Sequence, residues 1–317
     1  MQPGIVIHGG AGTRLLSATR NAEVTASLEI IIQHCWKWLQ AGRSATAVAV
    51  EAARLLEDDP LYNAGLGSKI QSDGHIRMSA SIMDGHRRRF AGCINVENLK
   101  NPVLLAQALL KKRDRVLAEA GAEAFADLLK LERSSPFTPH QLAEYKRRKE
   151  GTSGTIGAVV LDQKGRLAAA TSTGGRGYEF PHRVSDSCTC AGNFANEHAA
   201  ISLTGTGEEI VEAGAAASIC SLVEAKIPLH KAASTLLTSA QRRKAGHFGL
   251  IGMDRQGHIV ARTNTPLLIW AAINGDGAIV MGRKHGHRNR TDSHRSLAAK
   301  SGRRRRHTDL SVGKLSL

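Results

Sequence analysis

Three segments in the second half of the chain share one turn chemistry, and together they restrict the fold more than any other feature. Residues 159–168 (VVLDQKGRLA), 250–260 (LIGMDRQGHIV) and 273–280 (INGDGAIV) each pass from an apolar run through Asp or Asn to Gly and back to an apolar run. Asp or Asn opens a tight loop and Gly supplies the positive φ, so each segment predicts a β-hairpin. Helical patterns lie between them, at about 207–225 and 230–240. Antiparallel strands with grouped helices predict a layered α/β fold and exclude both strict βαβ alternation and a solenoid.

The first half agrees. A short strand is predicted at residues 4–8, and apolar positions at helical spacing over residues 22–40 end at Gly42. Ser44 has the chemistry of an N-cap for a second helix reaching about Leu56. Strands are expected near 76–83 and 90–96, and Pro102 fits the first turn of one long helix extending through Leu129. With aromatics at only 4%, the core has to be built from Ala, Leu, Ile and Val.

Residues 131–154 offer little to bury and predict a mobile linker. The charge is just as uneven. Residues 282–317 hold eleven Lys/Arg against two Asp, a net of +9, which leaves +6 of the total +15 for the other 281 residues. That tail, with Arg303 to Arg306 in succession, is expected to be disordered and dispensable, with a polyanion as its conceivable contact. No apolar run approaches the ~20 residues of a membrane span. No leader pattern stands at Met1, and the five scattered cysteines do not form a disulfide framework. A cytoplasmic protein is expected.

The join at Gly154-Thr155 carries the chemistry. A polar, basic stretch ends there and the apolar run IGAVVL begins. A threonine hydroxyl is a weak nucleophile unless a base stands beside it. Cutting the chain before the threonine supplies that base as its own α-amine, which titrates near pH ~8. Gly154 imposes little steric restriction on the backbone such a cut requires. A second threonine, Thr173, closes the next strand-like run.

Seven short motifs stand in order: IHGGAG (7–12), PLYNAGLG (60–67), ASIMDG (80–85), GTIGAV (154–159), ATSTGG (170–175), RVSDS (183–187) and TGTGE (204–208). This set resembles the isoaspartyl peptidase/L-asparaginase family (plant-type asparaginases) over roughly residues 1–280. The resemblance implies the four-layer αββα sandwich of N-terminal-nucleophile hydrolases. It also implies an α-part (1–154), a β-part (155–281) and a dimer of αβ units. The implied activity is hydrolysis of β-aspartyl dipeptides and of the side-chain amide of L-asparagine.

Residue by residue, the resemblance makes Thr155 the nucleophile and Thr173 its hydroxyl partner. Thr204 and Gly205 become the oxyanion donors. Arg183 and Asp186 would hold the substrate's α-carboxylate and α-amine, with Asn63, Gly175 and Gly207 lining the pocket. A structural Na⁺ is implied on main-chain carbonyls of Leu56, Glu57, Asp59, Tyr62, Ala64 and Leu66, with no other cofactor. Thr204 or Thr206 could equally cap a helix in a capping box. Ser185 and Ser79 depart from the family pattern beside the pocket.

Rival readings are a glycosylasparaginase-like or threonine endopeptidase activity in the same fold, a nucleotide-binding loop at residues 5–12, and a basic nucleic-acid-binding protein. The loop lacks both the Rossmann glycine spacing and a P-loop Lys-Ser/Thr. No nucleic-acid-binding motif stands in the core.

Overall fold

The computed structural model describes residues 1–12, 15–135, 137–147, 154–242, 247–275 and 277–283. In the first half, strand β1 (Gly4–Gly12) is followed by helices α1 (Ala18–Gln40) and α2 (Ala45–Glu57) and strands β2 (Met78–Asp84) and β3 (Arg89–Val96). Helix α3 (Pro102–Leu109), β4 (Val116–Ala118), α4 (Glu119–Leu128) and α5 (Pro139–Lys146) complete it. The second half contains β5 (Ile156–Leu161), β6 (Leu167–Thr173), β7 (Asn193–Ala195), β8 (Ala199–Gly205), α6 (Gly207–Glu212), α7 (Ala215–Glu224) and α8 (Leu229–Arg242). Strands β9 (Phe248–Asp254), β10 (Ile259–Thr263), β11 (Leu267–Asn274) and β12 (Ala278–Arg283) close it.

Two sheets result. The larger has the order β12-β11-β1-β5-β6-β2-β3-β4, antiparallel except for the β3–β4 pair. The smaller has the order β10-β9-β8-β7. All three expected hairpins form, as β5–β6, β9–β10 and β11–β12. In the first, Asp162 Oδ1 accepts from the Lys164 and Arg166 amides, and Gly165 takes φ +73°. Alternation in these strands gives each sheet two faces with separate partners.

Three apolar clusters follow. One joins α1–α4 to a face of the large sheet through Leu28, Ile32, Leu56, Val103, Ile82 and Ala158. A second, with Val6, Val159, Ala169, Ala200 and Ile251, lies between the sheets. The third covers the other face of the small sheet with α6–α8, through Ile201, Ile210, Ile219 and Leu237. Ala is frequent in all three, as the low aromatic content requires.

Three expectations are corrected. The long helix from Pro102 breaks after Leu109, because the charged stretch Lys111-Lys112-Arg113-Asp114 has no apolar stripe to bury, and β4 then pairs with β3. The pattern at 207–225 divides at Gly214, whose left-handed conformation (φ 52°) separates α6 from α7. Within the expected linker, α5 is a formed helix with a Thr138/Gln141 capping box. Gln141 is buried and donates to the carbonyls of Leu66 and Ser68. Ser44 caps α2 as expected, accepting from the Ala47 amide at 3.3 Å. The basic tail lies outside the described residues apart from Gly282 and Arg283, which belong to β12. Among the described residues no helix is long and apolar enough to cross a membrane.

Candidate active site

Thr155 stands at the mouth of β5, and the β5–β6 register (Ile156 opposite Ser172) brings it beside Thr173 at the end of β6. Its hydroxyl donates to Thr173 Oγ1 at 3.2 Å, and both residues are buried. Thr173 Oγ1 donates in turn to the Gly154 carbonyl at 3.1 Å and accepts from the Gly175 amide at 3.2 Å. Asn63, from the loop after α2, donates through Nδ2 to the same Gly154 carbonyl at 2.7 Å and to that of Gly175 at 2.5 Å. The peptide bond before Thr155 therefore has its oxygen held by two donors, with a hydroxyl alongside.

Glycine is required around this junction. Gly10 (φ +116°) sits at an irregularity in β1, and a Cβ there would lie 3.5 Å from the Thr155 nitrogen. A Cβ on Gly9 would lie 2.5 Å from the Tyr62 ring. These two glycines stand in the IHGGAG motif, and outside the rival nucleotide-loop reading the sequence assigns them no role. Their signal was the GG pair itself, inside β1 where its register with β11 shifts. The segment is a paired strand, bonded to β11 through Gly12 and to β5 as far as His8, which removes the nucleotide-loop reading. A cavity of about 880 Å³ opens here, lined among others by Gly10, Ala11, Tyr62, Asn63 and Gly154.

Thr204 lies at the end of β8, on the smaller sheet, which packs against β5 and β6. Its Oγ1 accepts from the Ala11 amide at 3.0 Å, tying the two sheets together. Gly205 has φ +146°. The capping-box alternative fails: Thr204 is in the strand, and Thr206 occupies the N-cap position without a side-chain cap. Thr206 has its amide on the His247 carbonyl at 2.9 Å.

Arg183 and Asp186 come together beside the start of α6. Gly207 makes this possible, because a Cβ there would lie 2.6 Å from Arg183 Nη2 and 2.7 Å from Asp186 Oδ1. Arg183 makes a bidentate pair with Glu208, Nε to Oε1 at 2.7 Å and Nη2 to Oε2 at 2.9 Å. Glu208 is the residue the sequence reading missed; it lay in plain view as the last letter of TGTGE. The Arg183 hydrogen bonds hold its carboxyl down at about 2. Asp186 goes the other way. Burial pushes it up to about 7, with the Arg183 charge opposing. Its Oδ2 is buried without a hydrogen-bond partner among the described residues.

The two departures from the family pattern are both engaged by backbone. Ser185 Oγ accepts from the Ser187 amide at 3.3 Å, and Ser79 Oγ from the Asn95 amide at 3.1 Å. Gly175 (φ +81°) has no room for a Cβ against Glu179. The loop after α2 closes on its own carbonyls: a Cβ on Gly65 would overlap the Glu57 oxygen, and one on Gly67 that of Tyr62. Carbonyls of Asp59, Ala64 and Leu66 each accept one hydrogen bond, from Tyr62, Gly67 and Gln141. Among the described residues no group of three or more His, Cys, Asp or Glu could hold a metal ion.

Comparison with known proteins is consistent with this geometry. The asparaginase family model matches residues 1–282. The chain is 39% identical over 294 residues to the isoaspartyl peptidase/L-asparaginase of Synechocystis sp., covering 87% of this chain and 89% of that relative. It is 36% identical over 287 residues to the isoaspartyl peptidase of Escherichia coli (82% and 89% covered). Against the isoaspartyl peptidase/L-asparaginase of Rattus norvegicus it is 35% identical over 285 residues, with 85% of each chain covered. On the extent of those matches, the chain belongs to the asparaginase family.

Proposed function

We propose that the protein is a self-processing threonine hydrolase that cleaves β-aspartyl dipeptides and the side-chain amide of L-asparagine. One observation carries the reading: Thr155 Oγ1, Thr173 Oγ1 and Asn63 Nδ2 converge on the Gly154–Thr155 peptide. For self-cleavage, Thr155 Oγ1 attacks the Gly154 carbonyl carbon. Asn63 Nδ2 and Thr173 Oγ1 are placed to stabilise the oxygen as it becomes negative. The C–N bond breaks as the proton from Oγ1 passes to the departing nitrogen. Water then hydrolyses the ester, leaving a Gly154 carboxylate and a free Thr155 amine.

That amine is the base for the second reaction. It takes the Thr155 hydroxyl proton as Oγ1 attacks the substrate's β-carbonyl. The leaving amine or ammonia takes the proton, and water releases aspartate. Thr204 Oγ1 and the Gly205 amide serve as oxyanion donors on the opposite sheet. Arg183 clasps the α-carboxylate, and Asp186 accepts from the α-ammonium. The relatives are named isoaspartyl peptidase/L-asparaginase and isoaspartyl peptidase, which supports this substrate class.

The fold reading behind this is the four-layer αββα sandwich, supported by three apolar clusters, each between two layers. A hard cation in the loop after α2 belongs to the same proposal, supported by the Glu57 and Tyr62 carbonyls that pack against Gly65 and Gly67. Oxygens of Leu56, Glu57, Asp59, Tyr62, Ala64 and Leu66 would hold Na⁺, which would stiffen the loop that carries Asn63. Intact mass after incubation, together with aspartate released from a β-aspartyl dipeptide, tests the function. Two fragments meeting at Gly154/Thr155 and steady release are expected; a permanently intact, inactive chain would overturn it.

A further inference from the structure

One row below the reacting groups lies a second set of polar side chains that the reaction does not touch. His8 Nε2 is 3.0 Å from Ser202 Oγ, and Ser202 Oγ is 2.7 Å from Thr171 Oγ1. All three residues are completely buried. His8 and Thr171 belong to β1 and β6 of the large sheet, and Ser202 to β8 of the small one, so the chain of hydrogen bonds crosses from sheet to sheet.

Its register with the active site is direct. Residues two apart on a strand share a face. Thr171 is two before Thr173, Ser202 two before Thr204, and Gly157 two after Thr155. His8, Gly157 and Thr171 stand opposite one another across β1, β5 and β6. A Cβ on Gly157 would overlap Ser202 Oγ and lie 2.5 Å from His8 Nε2, so this glycine is the gap through which the bridge passes. Burial pushes the His8 imidazole down to about 3, against the Thr155 main-chain carbonyl, which acts on the ring in the opposite sense. The ring is therefore neutral at working pH and lies beside the nucleophile's own peptide.

We propose that the His8–Ser202–Thr171 bridge is a positioning device that sets the separation of the two sheets under the active site. It thereby sets the distance from Thr155 and Thr173 to the oxyanion donors Thr204 and Gly205. The nucleophile rides on one sheet and those donors on the other. In the row above, the Ala11–Thr204 bond is the corresponding direct tie. Acyl transfer tolerates little error in that distance, since a displacement of ~1 Å can cost about a hundred-fold in rate. An apolar contact between the sheets would hold them together without fixing one spacing. Short hydrogen bonds in a buried, low-dielectric row fix it.

This inference rests on the proposed hydrolase mechanism, and two readouts keep their failures apart. Wild-type release of aspartate from a β-aspartyl dipeptide tests the mechanism. Thr171→Val, near-isosteric and without the hydroxyl, tests the bridge. It should fold, keep KM within about two-fold because Arg183 and Asp186 are untouched, and lower kcat by about ten-fold or more. Thr171→Ser, which restores the hydroxyl, should return kcat to within about two-fold of wild type. Independently of activity, hydrogen exchange at the Ala11 amide, which donates to Thr204, should rise about ten-fold in Thr171→Val. Should that variant not fold, Ser202→Ala is read by the same two measurements. Wild-type kcat together with unchanged Ala11 exchange in either variant would overturn the proposal.

Discussion

The proposed nucleophile hub and the proposed recognition cleft hold their groups by opposite means. Around Thr155 every contact is between neutral groups, and the partners come from strand ends and one loop: Thr173, Asn63, Gly154 and Gly175. Around Arg183 the contacts are ionic. The arginine is itself largely buried, but its partner Glu208 has a side chain 48% exposed. The hub is thus set by sheet register, while the cleft is set by charge balance that substrate, salt and pH can alter. Self-cleavage would itself change the hub, since it turns the Gly154 carbonyl that Thr173 and Asn63 hold into a carboxylate and frees the Thr155 amine.

The comparison breaks most severely at its centre. Thr155→Ala should remain one uncut chain and lose essentially all hydrolysis, on the order of 10⁴-fold or more, because one hydroxyl performs both steps. Intact mass and aspartate release decide it, and fragments in this variant would remove Thr155 from the hub. Arg183→Ala comes next. Losing one side of a buried charge contact should lower kcat/KM by roughly 2–5 kcal/mol while self-cleavage proceeds normally, since no free substrate takes part in that step. Impaired cutting in Arg183→Ala would mean that hub and cleft are not separate.

Asp186 sharpens the contrast through pH. Its folded carboxyl titrates at about 7 against an ordinary 3.8, raised by burial. Stability from this group is therefore fully present below the unfolded value and lost as pH rises through about 7. Asp186→Asn escapes that loss and should melt higher than wild type at pH 8, by roughly 2–4 °C for each kcal/mol recovered, while binding substrate poorly. Equal melting temperatures at pH 8 would show that the carboxylate is already compensated. Smallest is Glu208→Gln. An exposed pair contributes only about 0–1 kcal/mol, so KM should rise a few-fold with kcat unchanged. A KM indifferent to this change would mean that Glu208 does not orient Arg183.

The legible parts of the molecule were those governed by local rules. Turn chemistry located all three hairpins, and Ser44 located the start of α2. Motif order placed Thr155 and Thr173, which the register brings to 3.2 Å. What escaped depends on partners distant in sequence. The α5 segment has few apolar residues of its own and is anchored by Gln141 to carbonyls more than seventy residues away. The bridging hydroxyls of Thr171 and Ser202 are ordinary strand residues until the two sheets meet. Glu208 needed knowledge that Arg183 would fold back onto α6.

The order of the large sheet has a consequence for the proposed self-cleavage. By origin relative to Thr155, β1 from the leading segment lies between β11 and β5 of the trailing one, and β6 in turn pairs with β2. A cut before Thr155 therefore produces two strands of polymer interleaved in one sheet, neither able to leave without dismantling the ladders of the other. While folded, the nicked protein behaves as one body. Once melted it is two, and reassembly becomes a second-order encounter in place of intrachain closure. Its melting temperature should rise with protein concentration, whereas that of an uncut chain should not.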